Sequence, residues 1–310
     1  MKSLSKLLAE YLDLRRKLGF KAEREAWLLR SLVSFLRTEG NSFVTTDLAL
    51  AWAKRPADAH PSWWASRLSV ARGFAKHVHL VDARHQVPPC NLLPRHHRRA
   101  TPSIYSAKEI TRLLRAAREM PSRTTQGLLF RRATYETFFG LVAATGMRVG
   151  EAVRLDRSDI DWANQLLIIR NSKFGKSREV VLDGSVVRAL SRYAEERDCT
   201  HPRPHSPSFF VSRVGTRLVY NNVHSTFAKL LRQAGISRAK ARVHDLRHTF
   251  IVRTILHWYR EGVDVDARMP LLSTYVGHRN PSSTYWYISA TPELMELVAR
   301  KLERTLGALP

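Results

Sequence analysis

Four short stretches carry side chains able to work on an anion: "NSKFGKSRE" with Lys173 and Lys176, "ATGMRVGE" with Arg148, "VHDLRHTF" with His244 and Arg247, and "YVGHRNPSSTYWYI" with His278, Tyr285 and Tyr287. A phosphodiester gathers charge on its equatorial oxygens as a nucleophile attacks, so catalysis there is chiefly electrostatic. Two guanidiniums, permanently charged and donating two hydrogen bonds in a plane, are the natural clamp for those oxygens. His244 precedes Arg247 by three residues, so on a helix both face one phosphate. A phenol is a poor nucleophile at its ordinary pKa of about 10. A cluster of cations favours its phenolate, and an imidazole such as His244 can accept its proton. The oxygen that leaves needs a general acid, which a lysine can supply. Singly these residues mean little in a basic protein; their order and spacing carry the signal.

Composition narrows the partner. Lys and Arg number 51 against 27 acidic residues, a net charge of +24 in 310 residues, with the cations spread along the whole chain. Such a balance calls for a polyanion, and nucleic acid leads. A membrane surface is disfavoured because no apolar run is long enough to span a bilayer, and a soluble, cytoplasmic protein is expected. Cys90 and Cys199 are far apart without CxxC spacing and read as reduced bystanders. No acidic cluster suits a metal-dependent nuclease. His244 and His248 share a helix face, but the pattern lacks the glutamate of HExxH and Arg247 between them would repel a cation, so no metal and no cofactor is expected. His248 reads as structural.

The elements that must position these groups fall into two domains. Residues 1–93 read as four short helices: Leu4 to Leu18, Ala26 to Leu36, a third capped by Thr45, and a fourth from Ser62 to His79 opened by Pro61. The tryptophans Trp27, Trp52, Trp63 and Trp64 read as core. Residues 94–103, "PRHHRRATP" and its flank, form an extended basic linker whose Arg95, Arg98 and Arg99 suit phosphate contacts. The domain at 104–310 opens on a capping box, Ser106 with Glu109, with Tyr105 as a staple on Ile110. A helix from about Arg131 ends at Gly146, and Arg148 sits in the bend before the next helix. "LLIIRNSKFGKSREVVL", residues 166–182, is a hairpin around Gly175. Helices follow at about 184–197, 221–234, 243–262, 270–276 and 292–306. The last bears an apolar stripe of Leu294, Leu297, Val298, Leu302 and Leu306.

Read together, these residues resemble the tyrosine recombinases, the phage-integrase family, strongly over 104–290 and more loosely before. The family signature is Arg, hairpin Lys, His-x-x-Arg, Gly-His and a nucleophilic Tyr. Here Arg148, Lys173, His244 with Arg247, Gly277 with His278, and Tyr287 fill it. Tyr287 lies nine residues past His278, the usual family spacing, which favours it over Tyr285; on a helix the two point about 200° apart, so both cannot serve one site. The resemblance implies a mainly α fold: a helical, SAM-like core-binding domain, then an α+β catalytic domain with a small antiparallel sheet. It implies a site-specific recombinase that clamps duplex DNA as a C, forms a 3′-phosphotyrosine ester without metal or ATP, and exchanges strands in two steps through a four-way junction.

In that frame Arg148, Arg247 and His278 hold the phosphate, Lys173 is the general acid, Lys176 contacts a phosphate, and Glu151 orients Arg148. Asp245 caps or pairs locally; for Glu151 and Asp245 alike the other reading is an ordinary solvated charge. The resemblance further implies a dimer on each site and a tetramer at synapsis, joined through the C-terminal helix, which docks on a neighbouring protomer, the favoured reading, or folds back on its own domain; accessory or sister recombinases are further partners. The segment between Arg247 and His278 is longer than in most members, as in transposon-borne integrases. Two rivals are a catalytically silent DNA-binding paralogue that assists synapsis and a type IB topoisomerase-like enzyme.

Overall fold

A computed structural model of the chain describes residues 3–94, 102–120, 127–170, 177–203, 205–238, 241–278, 280–290 and 292–307. The chain divides into two compact units, 1–100 and 101–310.

The first unit is four helices, α1 (Leu4–Lys17), α2 (Glu23–Thr38), α3 (Thr46–Lys54) and α4 (Pro61–His79). Leu4, Leu7, Leu8 and Leu12 recur at helical spacing and are buried. The side chains of Ser3 and Thr45 accept backbone N–H groups at the starts of α1 and α3, at 3.3 and 3.2 Å. Pro61 opens α4, where its fixed φ suits the first turn and its missing N–H costs nothing. Trp52 is buried, whereas Trp27, expected in the core, is 60% exposed. Leu28 and Leu29 occupy the inward arc of α2, and the helical period turns the preceding residue outward.

The second unit begins with α5 (Ala107–Arg118), opened by a full capping box: Ser106 Oγ accepts the Glu109 N–H at 3.2 Å and the Glu109 carboxylate accepts the Ser106 N–H at 2.8 Å. There follow α6 (Gly127–Thr145) and α7 (Val149–Arg154), then a three-stranded antiparallel sheet of β1 (Ile160–Asp161), β2 (Leu166–Ile169) and β3 (Arg178–Val181), paired in that order. The expected hairpin is β2 and β3, with Leu167 opposite Val180 and Ile169 opposite Arg178. Its tip lies outside the described residues. β1 was not anticipated, since two residues are too few to show an alternation.

The rest is helical: α8 (Gly184–Thr200), α9 (Tyr220–Gln233), α10 (His244–Arg260), α11 (Val265–Val276), α12 (Ser282–Tyr285), a 3₁₀ stretch over Trp286–Ala290 and α13 (Pro292–Leu306). α11 starts five residues before the expected Pro270, because the Asp264 carboxylate caps it by accepting the Ala267 N–H at 3.2 Å. Pro270 lies inside the helix.

Two cores support this unit. One holds Phe138, Phe139, Phe210 and Phe227 with the buried face of the sheet. The other, beneath the site, holds Ile251, Val252 and Ile255 of α10, Met269, Leu272 and Val276 of α11, Tyr287, and Leu294 of α13. The fold is thus mainly α with a small antiparallel sheet. The sequence leaves open whether α13 docks on its own domain or on a neighbouring protomer; within this chain Leu294 is fully buried in the second core and Glu293 pairs with Arg260 of α10. The first turn of α13 thus packs against α10, α11 and Tyr287 of its own chain.

Candidate active site

Arg148 and Arg247 are each held by the carbonyl of a glycine in the left-handed region. α6 ends at Gly146, φ +61°, whose carbonyl accepts from Arg247 Nη1 at 2.7 Å. α11 ends at Gly277, φ +71°, whose carbonyl accepts from Arg148 Nη2 at 2.5 Å. A Cβ on Gly277 would lie 2.8 Å from Nη1 of Arg178, and one on Gly146 would lie 2.4 Å from the Phe250 ring. Both positions combine positive φ with close approach, so only glycine fits without displacement.

Arg148 is the N-cap residue of α7, extended before the helix. Glu151, at the third helical position, reaches back: one oxygen accepts the Arg148 backbone N–H at 2.9 Å and the other accepts Nη1 at 2.7 Å. The same carboxylate receives Arg178 of β3 through Nη1 at 3.1 Å and Nη2 at 2.8 Å, while Arg178 Nε donates to the Tyr275 carbonyl at 2.8 Å. Glu151 thus joins α7, the sheet and α11. Burial alone would raise its carboxyl, but the bonds and charge of Arg178 and Arg148 outweigh that and hold it down at about 2. Arg178 was not singled out from the sequence, where it is one arginine among many. Only the β2–β3 register carries it to α11.

Arg247 and His244 start α10 together with Asp245 and His248. Arg247 is 1% exposed. Burial first, then the charge of Arg148, pushes its guanidinium down to about 9, against the opposing pull of Tyr287 and Glu151. It remains a cation at neutral pH, with its Nη2 buried and bonded to nothing among the described residues. A buried donor without a partner is costly, and an incoming oxygen anion would satisfy it.

Tyr287 is 1% exposed, and Tyr285 is 39% exposed. The two do not share a regular α-helix: α12 gives way to the 3₁₀ stretch between them. Even so they part, one phenol inward and the other to the surface. The Tyr287 ring lies nearly parallel to that of His278, with centroids 6.2 Å apart. His278 is fixed by a 2.7 Å hydrogen bond between its Nδ1 and the buried Thr284 hydroxyl. The Tyr287 oxygen is 2.6 Å from Nδ1 of His248. His248, read from the sequence as structural, therefore touches the phenol itself. Its spacing of four from His244 was visible, but not the turn that lays Tyr287 against α10. Asp245 pairs locally, accepting the Arg242 N–H at 2.8 Å and its guanidinium at 3.2 Å.

Arg148, Arg247, Tyr287 and Glu151 thus act on one another within a single cluster, with His244, His248 and His278 at its edge. Lys173, Lys176, Arg95, Arg98 and Arg99 lie outside the described residues. Among the described residues no group of three or more His, Cys, Asp or Glu is placed to hold a metal ion, and no helix is long and apolar enough to cross a membrane.

The chain is similar to known proteins. Residues 105–293 match the model of the phage integrase family. The chain is 42% identical, over 98% of its length and 98% of the relative's, to y4rB of Sinorhizobium fredii, whose name assigns it provisionally to the integrases or recombinases. It is 30% identical to the tyrosine recombinase XerD of Rhizobium meliloti, over 74% of this chain and 70% of that one. Among solved structures, the Tn1549 transposon integrase in complex with circular intermediate DNA superposes with a TM-score of 0.65 at 16% identity, covering 98% of this chain and all of that one. At that identity the likeness speaks for the fold alone.

Proposed function

The chain belongs to the phage integrase family of tyrosine recombinases, and from that membership we propose that it is a site-specific DNA recombinase cutting and rejoining strands through a 3′-phosphotyrosine ester on Tyr287. The observation that carries the reading is the buried Arg247 guanidinium with an unsatisfied Nη2, set in one charge cluster with Arg148 and the Tyr287 phenol. Such a donor suits an oxyanion that arrives with the substrate.

In this mechanism Arg247 and Arg148 hold the non-bridging oxygens of the scissile phosphate, and His278 adds a donor. The Tyr287 oxygen attacks phosphorus as its proton passes to a neighbouring imidazole. The 5′ oxygen departs with a proton from Lys173 on the hairpin, and Lys176 contacts a phosphate. The ester retains the energy of the broken bond, so a second 5′-hydroxyl reverses the step without ATP. Glu151 keeps Arg148 and Arg178 in place. The basic 94–103 segment, with Arg95, Arg98 and Arg99, lies along phosphates, and the helical domain of 1–93 grips the duplex. Protomers pair on DNA and join in a tetramer at synapsis, with α13 released from its own core to reach a neighbour.

A nicked suicide duplex built from DNA flanking the chain's own gene tests this. Wild type is expected to become covalently attached to the 3′ end, and Tyr287→Phe to give no adduct. Failure of wild type to form any adduct would leave a DNA-binding paralogue that only assists synapsis. Relaxation of supercoiled plasmid lacking any specific site would instead indicate a topoisomerase.

A further inference from the structure

We infer that His248, backed by Asp245, is the group that takes the proton from Tyr287 when the phenol attacks phosphorus; this rests on the strand-cleavage reading above. Three observations carry it. The phenol oxygen is 2.6 Å from His248 Nδ1, inside hydrogen-bond range, and both side chains are buried, at 1% and 6% exposure. On the far edge of the same ring, Nε2 is 4.0 Å from Oδ1 of Asp245, which is itself 1% exposed. And Asp245 is held in place by the backbone and guanidinium of Arg242 at 2.8 and 3.2 Å.

That carboxylate is too far for a strong hydrogen bond but close enough to act through its charge in a shielded setting. It favours the tautomer with hydrogen on Nε2, which leaves the Nδ1 lone pair aimed at the phenol. Tyr287 then donates to His248, and the proton has a path that needs no rearrangement. The groups facing the imidazole are His244 and Asp245 from α10, with Arg242 behind Asp245, and Trp286 and Tyr287 from the 3₁₀ stretch. His244 packs edge to face on His248, with centroids 4.7 Å apart.

The step balances. A bond forms between the Tyr287 oxygen and phosphorus while the O–H bond breaks and its proton moves to Nδ1. The bond from phosphorus to the 5′ oxygen breaks, and that oxygen takes a proton from the general acid. The imidazolium so formed faces the Asp245 carboxylate. In religation the 5′-hydroxyl attacks phosphorus and returns its proton to the general acid, now in its basic form, while the bond from phosphorus to the Tyr287 oxygen breaks and the departing phenolate recovers its proton from His248.

The test is single-turnover adduct formation by the full chain on the nicked duplex. His248→Asn keeps a polar amide near the position of Nδ1 but cannot take a proton. Its cleavage rate is expected to fall about 100-fold or more, with DNA affinity unchanged. Fluorotyrosine at position 287, a more acidic phenol, should recover much of that loss. A substrate whose bridging 5′ oxygen is replaced by sulfur, which leaves without protonation, should not. Asp245→Asn, a gentler change, is expected to slow cleavage about tenfold and serves if His248→Asn does not fold. His248→Asn cleaving at the wild-type rate, or a slow variant that fluorotyrosine fails to rescue, overturns the assignment while leaving the cleavage reading intact. Absence of any adduct with wild type overturns both.

Discussion

At the scale of single residues, the site is organised by one buried carboxylate between two arginines. Glu151 is charged in the folded chain down to about pH 2, against about 4.5 unfolded. Its folded pKa is depressed, so the stability it contributes is fully present above the unfolded value and is lost as pH falls from about 4.5 towards 2. The shift corresponds to something on the order of 3 kcal/mol. Glu151→Gln should therefore lower stability at neutral pH by a few kcal/mol and flatten the acid limb of a pH–Tm profile. An acid limb as steep as wild type would mean that other carboxylates carry it. Arg247 acts in the opposite sense: its folded pKa is depressed by burial, so its charge opposes folding at neutral pH. An anion that fills the pocket should offset this. Sulfate is expected to raise the Tm of wild type more than that of Arg247→Gln, measured by calorimetry at constant ionic strength.

At the scale of elements, the ends of helices do the positioning. α6 and α11 each finish on a left-handed glycine whose carbonyl holds a distant arginine, Arg247 in α10 and Arg148 at the N-cap of α7. Gly277→Ala would place a methyl group 2.8 Å from Arg178 and strain a positive φ. It should cost about 1–3 kcal/mol and slow cleavage markedly, with little effect on DNA affinity, since the residues that grip the backbone elsewhere are untouched. Leu294 connects the last helix to the same core as Tyr287. Leu294→Ala should cost about 2–5 kcal/mol and, if release of α13 precedes synapsis, favour the assembled tetramer over the free chain. Sedimentation on DNA would show the shift.

At the scale of the whole molecule, the dominant quantity is the charge of +24. Backbone contacts that displace counterions make affinity fall steeply with salt, by about 10³–10⁵ between 50 and 200 mM for six to ten phosphates neutralised. A flat dependence in a gel-shift series would count against extensive phosphate contact. Charge of this kind says nothing of which sequence is bound; it explains only why a duplex is held.

Local chemistry was legible along the chain itself. The capping box at Ser106, the cap at Thr45, the proline opening α4 and the two β-rich runs of the hairpin are each set by neighbours within a few residues, so pattern alone finds them. The order of Arg148, Lys173, His244, Arg247, His278 and Tyr287 pointed to the family for the same reason, as a linear signature. What depends on distant segments was not legible. Arg178 meets Glu151 only through strand register, His248 meets Tyr287 across 39 positions, Trp27 turns outward because its neighbours fill the core, and Leu294 of α13 packs into the core that holds Tyr287. Those outcomes follow from which surfaces pack together, and packing is a property of the assembled chain that no local run of residues encodes.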